Sequence, residues 1–338
     1  MKSFLPVLEV CDNFNPIEST DLVPFYAAAK EVGKTLPIGL LKPETVALLV
    51  EDNKLHEKEE FWVLEYNSSS NLKFVAFAAH LNTPDVRSKV IQEMCRRWHE
   101  TGVFANVIGG RLWRNELYAV YANPFKTSEE PLFEMERVTA ALFGVVTYGV
   151  HMTVYHPPAP GSNEEMKIWV ARRALTKQTF PGLYDNTCAG GMVSGMGPLE
   201  TLCKESFEEA SIPEEITKKY AQCTGAVSYY FQTGIGWLQP EVEYTYELAI
   251  PHNLSQEELK AFTPTPQDGE VSGFELLPVS EVIDRMHQLV FKPNCAVVLI
   301  DFLMRHNIIT PENELNYLEI MTRMHGRFDI EQWGRKAV

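Results

Sequence analysis

The stretch GGMVSGMGPLETLCKESFEEASIP, residues 190–213, opens on paired glycines and closes on two carboxylate clusters, Glu205 and then Glu208 with Glu209. Wound as a helix at about 100° per residue, it gathers the three acids into an arc of roughly 100°. Leu199, Cys203, Phe207 and Ala210 then project to the other side as the expected packing stripe. Helix neighbours three and four apart lie about 5–6 Å from each other, so three anions there repel unless water screens them or a cation bridges them. Two readings follow: a solvated acidic face, or a seat for a hard divalent ion that takes oxygen ligands together with substrate phosphates. Gly190, Gly191, Gly195 and Gly197 favour the second, since they predict a tight loop able to approach a ligand closely.

Strand-like segments surround this stretch. VVTYGVHMTVY, MKIWVARRAL and TCAGGMV precede it; AVSYYFQT (226–233), EVEYTYELAI (241–250) and GFELLPV (273–279) follow, before two helical runs, SEVIDRMHQL and CAVVLIDFLMRH. The pattern predicts a mixed sheet between helical layers. Earlier in the chain the texture is α+β. Pro43 suits a first helical turn ahead of ETVALLVED, and Thr83-Pro84-Asp85 starts a capped helix. FWVLEY (61–66) and LKFVAFAAH (72–80) flank a Ser/Asn turn, RLWRNELYAVY (111–121) contains a strand, and Glu129 to Leu142 is expected to be helical. Without repeats or a low-complexity linker, the division is short. We place an N-terminal α+β domain at 1–140 and a second domain at 141–338.

A chain of 338 residues with 45% hydrophobic side chains can bury more than one core. Its formal charge of −15 repels polyanions and argues against nucleic-acid binding, although a local Lys/Arg cluster can still hold a small phosphorylated ligand. The cysteines at 11, 95, 188, 203, 223 and 295 form no CxxC pair, which fits a reducing, cytoplasmic setting. Pro6 and Glu9 interrupt the apolar opening, against a secretory signal. The longest apolar stretch, 140–155, is too short for a bilayer and contains two glycines and a histidine, so it predicts a helix end followed by a buried strand and no membrane span.

The opening stretch resembles the Nudix box, G, five residues, E, seven residues, R-E-apolar-x-E-E-x-G-apolar. With Gly190 first, every gap is kept and the family's three metal-ligating glutamates fall on Glu205, Glu208 and Glu209. Met196 stands in place of a glutamate that helps hold the loop, Lys204 of an arginine, Ser206 of an apolar residue and Ser211 of a glycine. The wider context, YGVHMTVYH, KIWVARRALTKQTFPGLYDNTCAGG, WLQPEVEYTYEL and DGEVSGFELLPV, resembles the thiamine pyrophosphokinase-related Nudix proteins of fungi and plants, which carry an extra N-terminal domain. The resemblance is strong over roughly 105–300 and loose before it. It implies an α/β/α sandwich with a mixed sheet, and Mg²⁺- or Mn²⁺-dependent hydrolysis of a small-molecule diphosphate. Thiamine diphosphate and its oxo- and oxythiamine forms come first among substrates, with nucleoside diphosphate derivatives or a non-catalytic diphosphate sensor as alternatives. The resemblance also makes Glu270 of DGEV a candidate base; the other reading is a solvated turn acid.

Other residues carry paired readings. Arg172, Arg173 and Lys177, just ahead of the glycines, could bind phosphate or merely keep a strand edge soluble. Lys204 keeps the box cation without the rigid fork of arginine. Trp237, with Tyr229, Tyr230 and Phe231, could stack on a heterocycle or fill a core. His151 and Asp185 are read as structural. The N-terminal domain is expected over the pocket mouth.

Overall fold

The computed structural model describes residues 2–56 and 58–336. In the first half, β1 (Val23–Tyr26), β2 (Gly39–Leu41), β3 (Trp62–Tyr66) and β4 (Leu72–Phe77) form a sheet in the order β2-β1-β4-β3, with β1 and β4 parallel. Helices Pro43–Leu55 and Pro84–Thr101 both begin with proline in the first turn, where its missing N–H costs nothing. The second is capped by Thr83, which accepts from the Val86 N–H, and ends at Gly102 in the left-handed region. Leu49, Ile91, Met94 and Trp98 from these helices meet Phe25, Trp62 and Phe77 from the sheet in one core.

Two strands, β5 (Leu117–Val120) and β6 (Phe133–Glu136), pair as a separate antiparallel ladder. This corrects the helix expected over Glu129–Leu142: α-helix begins only at Ala140, in the short turn Ala140–Phe143. The reason is visible in PLFEMER: after Pro131 the apolar residues alternate, Phe133 and Met135 are fully buried, and pairing with β5 overrides helical propensity.

The second half contains β7 (Thr147–His156), β8 (Lys167–Arg173), β9 (Tyr184–Asp185), β10 (Cys188–Gly191), β11 (Gln222–Gln232), β12 (Leu238–Ala249) and β13 (Val271–Pro278). They make a mixed sheet along the path β11-β12-β7-β8-β13, in which β12 and β7 run parallel while β10 lies against the first half of β7. β7 is buried almost throughout because both faces are covered, which explains its unbroken apolar reading. Helices Val279–His287, Pro293–Arg305 and Tyr317–Met324 pack on one face and helix Pro198–Ala210 on the other, giving the expected α/β/α sandwich.

The halves exchange side chains. Phe4, Val7, Leu8 and Cys11 enter the core beneath the C-terminal helices, and the Phe4 N–H donates to Glu314 at 2.7 Å. The opening segment thus crosses the division drawn at residue 140. In return Trp237, beside β12, is buried in the first-half core, where Phe104 meets it edge-on at 5.0 Å. No helix of the described residues is long and apolar enough to cross a membrane.

Candidate active site

Helix Pro198–Ala210 presents its acids differently from the simple wheel. Its buried positions include Leu202, Cys203, Ser206, Glu209 and Ala210, while Leu199 and Phe207 are exposed. The packing stripe is therefore rotated toward the carboxylates, and Glu209 is only 8% exposed. Its Oε2 accepts the Ala189 N–H at 3.0 Å. Burial, then the neighbouring charge of Asp185, pushes its carboxyl up to about 8. Glu205 is also raised, chiefly by burial, against the pull of Lys204. Glu208 remains half exposed. Lys204 stands 3.4 Å from both Glu205 and Glu208, so its ammonium neutralises the acids rather than facing a free ligand. Ser211, at the box position of a glycine, is left-handed (φ 55°), and its hydroxyl donates to the Thr265 carbonyl at 3.0 Å.

The rotation is possible because Gly190, on the adjoining β10, has no side chain. A Cβ on Gly190 would lie 2.2 Å from Glu205 Cδ; on Gly149, 2.1 Å from Glu243 Oε2; on Gly191, 1.6 Å from the Tyr118 hydroxyl. Gly149, Gly190 and Gly191 are strand residues that vacate space for functional side chains. The loop reading is corrected for the first pair: only Gly195 of the box glycines takes a positive φ, 87°. The turn itself is held from the first domain. The Ser194 N–H donates to the Leu117 carbonyl at 2.8 Å and the Ser194 hydroxyl to Glu134 at 2.5 Å.

These groups surround a polar cavity of about 240 Å³. Glu205, Glu208, Glu209, Glu270, Lys177, Lys204 and Arg173 all line it, so the structure gathers seven expected site residues. Their roles separate. Lys177 ion-pairs with Glu270, whose carboxyl, although burial would raise it, is held below the usual range by Lys177 and Arg114. Arg173 is locked to Asp185 at 2.6 Å and to the carbonyls of Thr179 and Phe180, which makes it the brace of the 179–180 turn. Arg172 is corrected: strand alternation turns it away from the cavity, onto the Tyr184 ring. Trp237 is corrected as well, being core in the first domain.

Sequence reasoning passed over the wall opposite the helix. Glu241 and Glu243 alternate on β12 in register with Thr147 and Gly149, facing the same side. The Tyr229 hydroxyl hydrogen-bonds to both acids. Burial and Glu243 raise Glu241, whereas Glu243, despite burial, is held low by His151 3.6 Å away. The i, i+2 acids of PEVEYTYEL were the available signal. His151, Asp185 and Cys295 form, among the described residues, the one His/Cys/Asp/Glu trio whose ligand atoms lie within 4.8 Å of one another. Each is already engaged, His151 with Asn186, Asp185 with Arg173, and Cys295 with Asp185, in keeping with the structural reading of His151 and Asp185. The box acids are spread more widely, with Lys204 between two of them.

A second cavity, of about 220 Å³, shares Arg114, Tyr118, Arg137, Thr147, Thr179, Glu241, Lys292 and Asn294 with the first. Beyond that shared waist its wall is more apolar, with Val138, Ala140, Phe180, Phe231 and Leu238 beside Tyr229. Tyr229 and Phe231 thus reach the cavity, while Tyr230 points to the opposite face, against Phe14 and Trp333.

The family model described as "NUDIX domain" matches residues 159–294, and that described as "Domain of unknown function (DUF4743)" matches residues 3–147. The chain is 38% identical over 253 residues to the uncharacterized protein YJR142W of Saccharomyces cerevisiae, covering 72% of this chain and 69% of that protein. It is 32% identical over 255 residues to Nudix hydrolase 20, chloroplastic, of Arabidopsis thaliana, covering 75% of this chain and 62% of that relative, just under two thirds. Among solved structures, DR0079 from Deinococcus radiodurans aligns over 52% of this chain and 90% of its own, with 20% identity and a TM-score of 0.34.

Proposed function

The chain belongs to the Nudix hydrolase family and carries an N-terminal DUF4743 domain, and we propose that it cleaves a small organic diphosphate, first of all thiamine diphosphate or its oxo- and oxythiamine forms. Water adds to one phosphorus, the bridging P–O bond breaks, and the products are the monophosphate ester and phosphate. The observation that carries this reading is the pair of adjoining cavities, one rich in carboxylates and the other of mixed polarity with an apolar far wall, which share Arg114, Arg137 and Lys292 in their lining. A diphosphate ester has the same sequence of chemistries. Its terminal phosphate faces the acidic helix, its inner phosphate the waist, and its organic group the apolar pocket.

Glu205, Glu208 and Glu209 fit a divalent cation: their donors are all hard oxygens, and the Glu209 carboxyl, raised by burial and by Asp185, would be relieved by a nearby positive charge. Mg²⁺ or Mn²⁺ held there would supply Lewis-acid charge for the phosphate oxygens and acidify a bound water. Glu270 is the proton acceptor in this reading. Substrate oxygens draw Lys177 and Arg114 away from it, which frees the carboxylate those cations hold low. Glu241, an acid of the shared waist that also borders the more apolar pocket, favours a cationic ring such as thiazolium over a neutral base.

Phosphate release from thiamine diphosphate, its oxidised forms and a nucleoside diphosphate panel, with and without Mg²⁺, tests the reading. Glu208→Gln is expected to lower turnover by about 100-fold or more while leaving the fold intact. Undiminished turnover in that variant removes the cation assignment. A preference for nucleotides moves the substrate to that class, and binding without release makes the protein a sensor.

A further inference from the structure

We propose that the N-terminal domain completes the active site, with Arg137 binding the phosphate that remains on the organic product. This rests on the diphosphate reading above. Arg137 follows β6 directly, and three contacts fix it. Its N–H donates to the Glu116 carbonyl at 2.9 Å, its Nη1 donates to the Glu116 carboxylate at 2.5 Å, and its guanidinium lies over the Tyr118 ring at 5.1 Å. Burial works against its charge, but Tyr118 and Glu116 hold it protonated. The fork is spent on one side only. Nη2 points toward the second domain, 3.6 Å from where a Cβ on Gly191 would be. Gly191 therefore makes room for both Tyr118 and this guanidinium on the strand that carries the first glycine of the box.

The waist needs such a group. The acidic helix suits a metal-bridged phosphate, whereas the inner phosphate must be met by cations held apart from those carboxylates. Arg137 touches both cavities, and a planar fork matches phosphate oxygens in a way lysine does not. Arg114 stands on the same side, joined to the same hairpin through its N–H to Glu136 at 3.1 Å. The ladder of β5 and β6 also grips the box turn through Ser194, so the clamp is hydrogen-bonded to the turn that leads into the acidic helix. The hydrolase domain alone would lack the clamp.

The test uses the full chain with methylenediphosphonate, a diphosphate that water cannot split, titrated calorimetrically in the presence of Mn²⁺. Mn²⁺ affinity itself is read by electron paramagnetic resonance. Arg137→Ala should weaken diphosphonate binding by about 10- to 100-fold, the range for losing hydrogen bonds to a charged group, and Arg137→Lys by less. Mn²⁺ binding should stay within about twofold of wild type, since the carboxylate helix is untouched. Unchanged diphosphonate binding in either variant overturns the proposal, and so does a loss that Mn²⁺ binding shares in Arg137→Lys. Should Arg137→Ala fail to fold, Arg137→Lys, which keeps charge and bulk, decides. A wild type that binds the diphosphonate but hydrolyses no organic diphosphate removes the function proposed above and leaves this titration readable.

Discussion

Replacing Gly190 with alanine separates the site from the fold. The new Cβ would lie 2.2 Å from Glu205 Cδ, 2.3 Å from Cγ and 2.6 Å from Oε2. Carbon atoms rest at about 3.5–4.0 Å, so the Glu205 carboxyl must retreat by more than about 1 Å. The obstacle is the far end of a flexible side chain and the Gly190 backbone is ordinary strand, so the fold itself gives little: about 1 kcal/mol, the low end of overpacking costs. The site gives more, because a ligand displaced by about 1 Å can cost on the order of 100-fold in rate. Three measurements decide: thermal unfolding, Mn²⁺ affinity by paramagnetic resonance, and kcat/KM for the best diphosphate. We expect a small shift in Tm together with losses of roughly 100-fold in kcat/KM and a clear weakening of Mn²⁺ binding. Gly273→Ala, on β13 with nothing within 4 Å of its Cβ, is the matched control and should behave as wild type. Mn²⁺ affinity and kcat/KM within about twofold of wild type would refute the reasoning, since Glu205 could then be moved without consequence.

Metal binding should be linked to a proton. The Glu209 carboxyl lies at about 8 in the metal-free protein, so at pH 7 it is about nine-tenths protonated, and a cation must displace that proton. Apparent Mn²⁺ affinity is expected to rise by nearly tenfold per pH unit up to pH about 8 and then level off, with about 0.9 proton released at pH 7. Because the folded pKa lies above the unfolded one, Glu209 also makes the metal-free protein lose stability as pH rises between about 4.5 and 8, and added metal should restore it. Affinity that stays flat from pH 6 to 8, or a slope that survives in Glu209→Gln, counts against this. Trp237→Phe should lower Tm through the first-half core without altering KM, whereas Phe231→Ala, in the apolar pocket, should raise KM. The reverse pattern would return Trp237 to the substrate site.

What could be read from the sequence follows the range of the forces involved. Proline at helix starts, the Thr83 cap and the Ser/Asn turn after FWVLEY depend on neighbours within a few residues, and those elements stand where expected. The three glutamates were legible for the same reason, since one turn of helix brings them together. Whether Glu205 is bathed in water or packed against the sheet depends instead on β10 carrying Gly190 where the helix crosses it, a tertiary fact that a helical wheel cannot contain. Arg172 and Arg173 show the limit from the other side: adjacent and chemically alike, they are sent to opposite faces by the pleat, and only one meets the cavity. Arg137 and Lys292 carried no local mark, because a lone cation beside an apolar run reads as surface until a distant strand is laid against it. The glycines did carry a mark, but an ambiguous one. A glycine can license a turn or vacate a volume, and in Gly190 and Gly191 the second use decides which side chains reach the place where the diphosphate would be split.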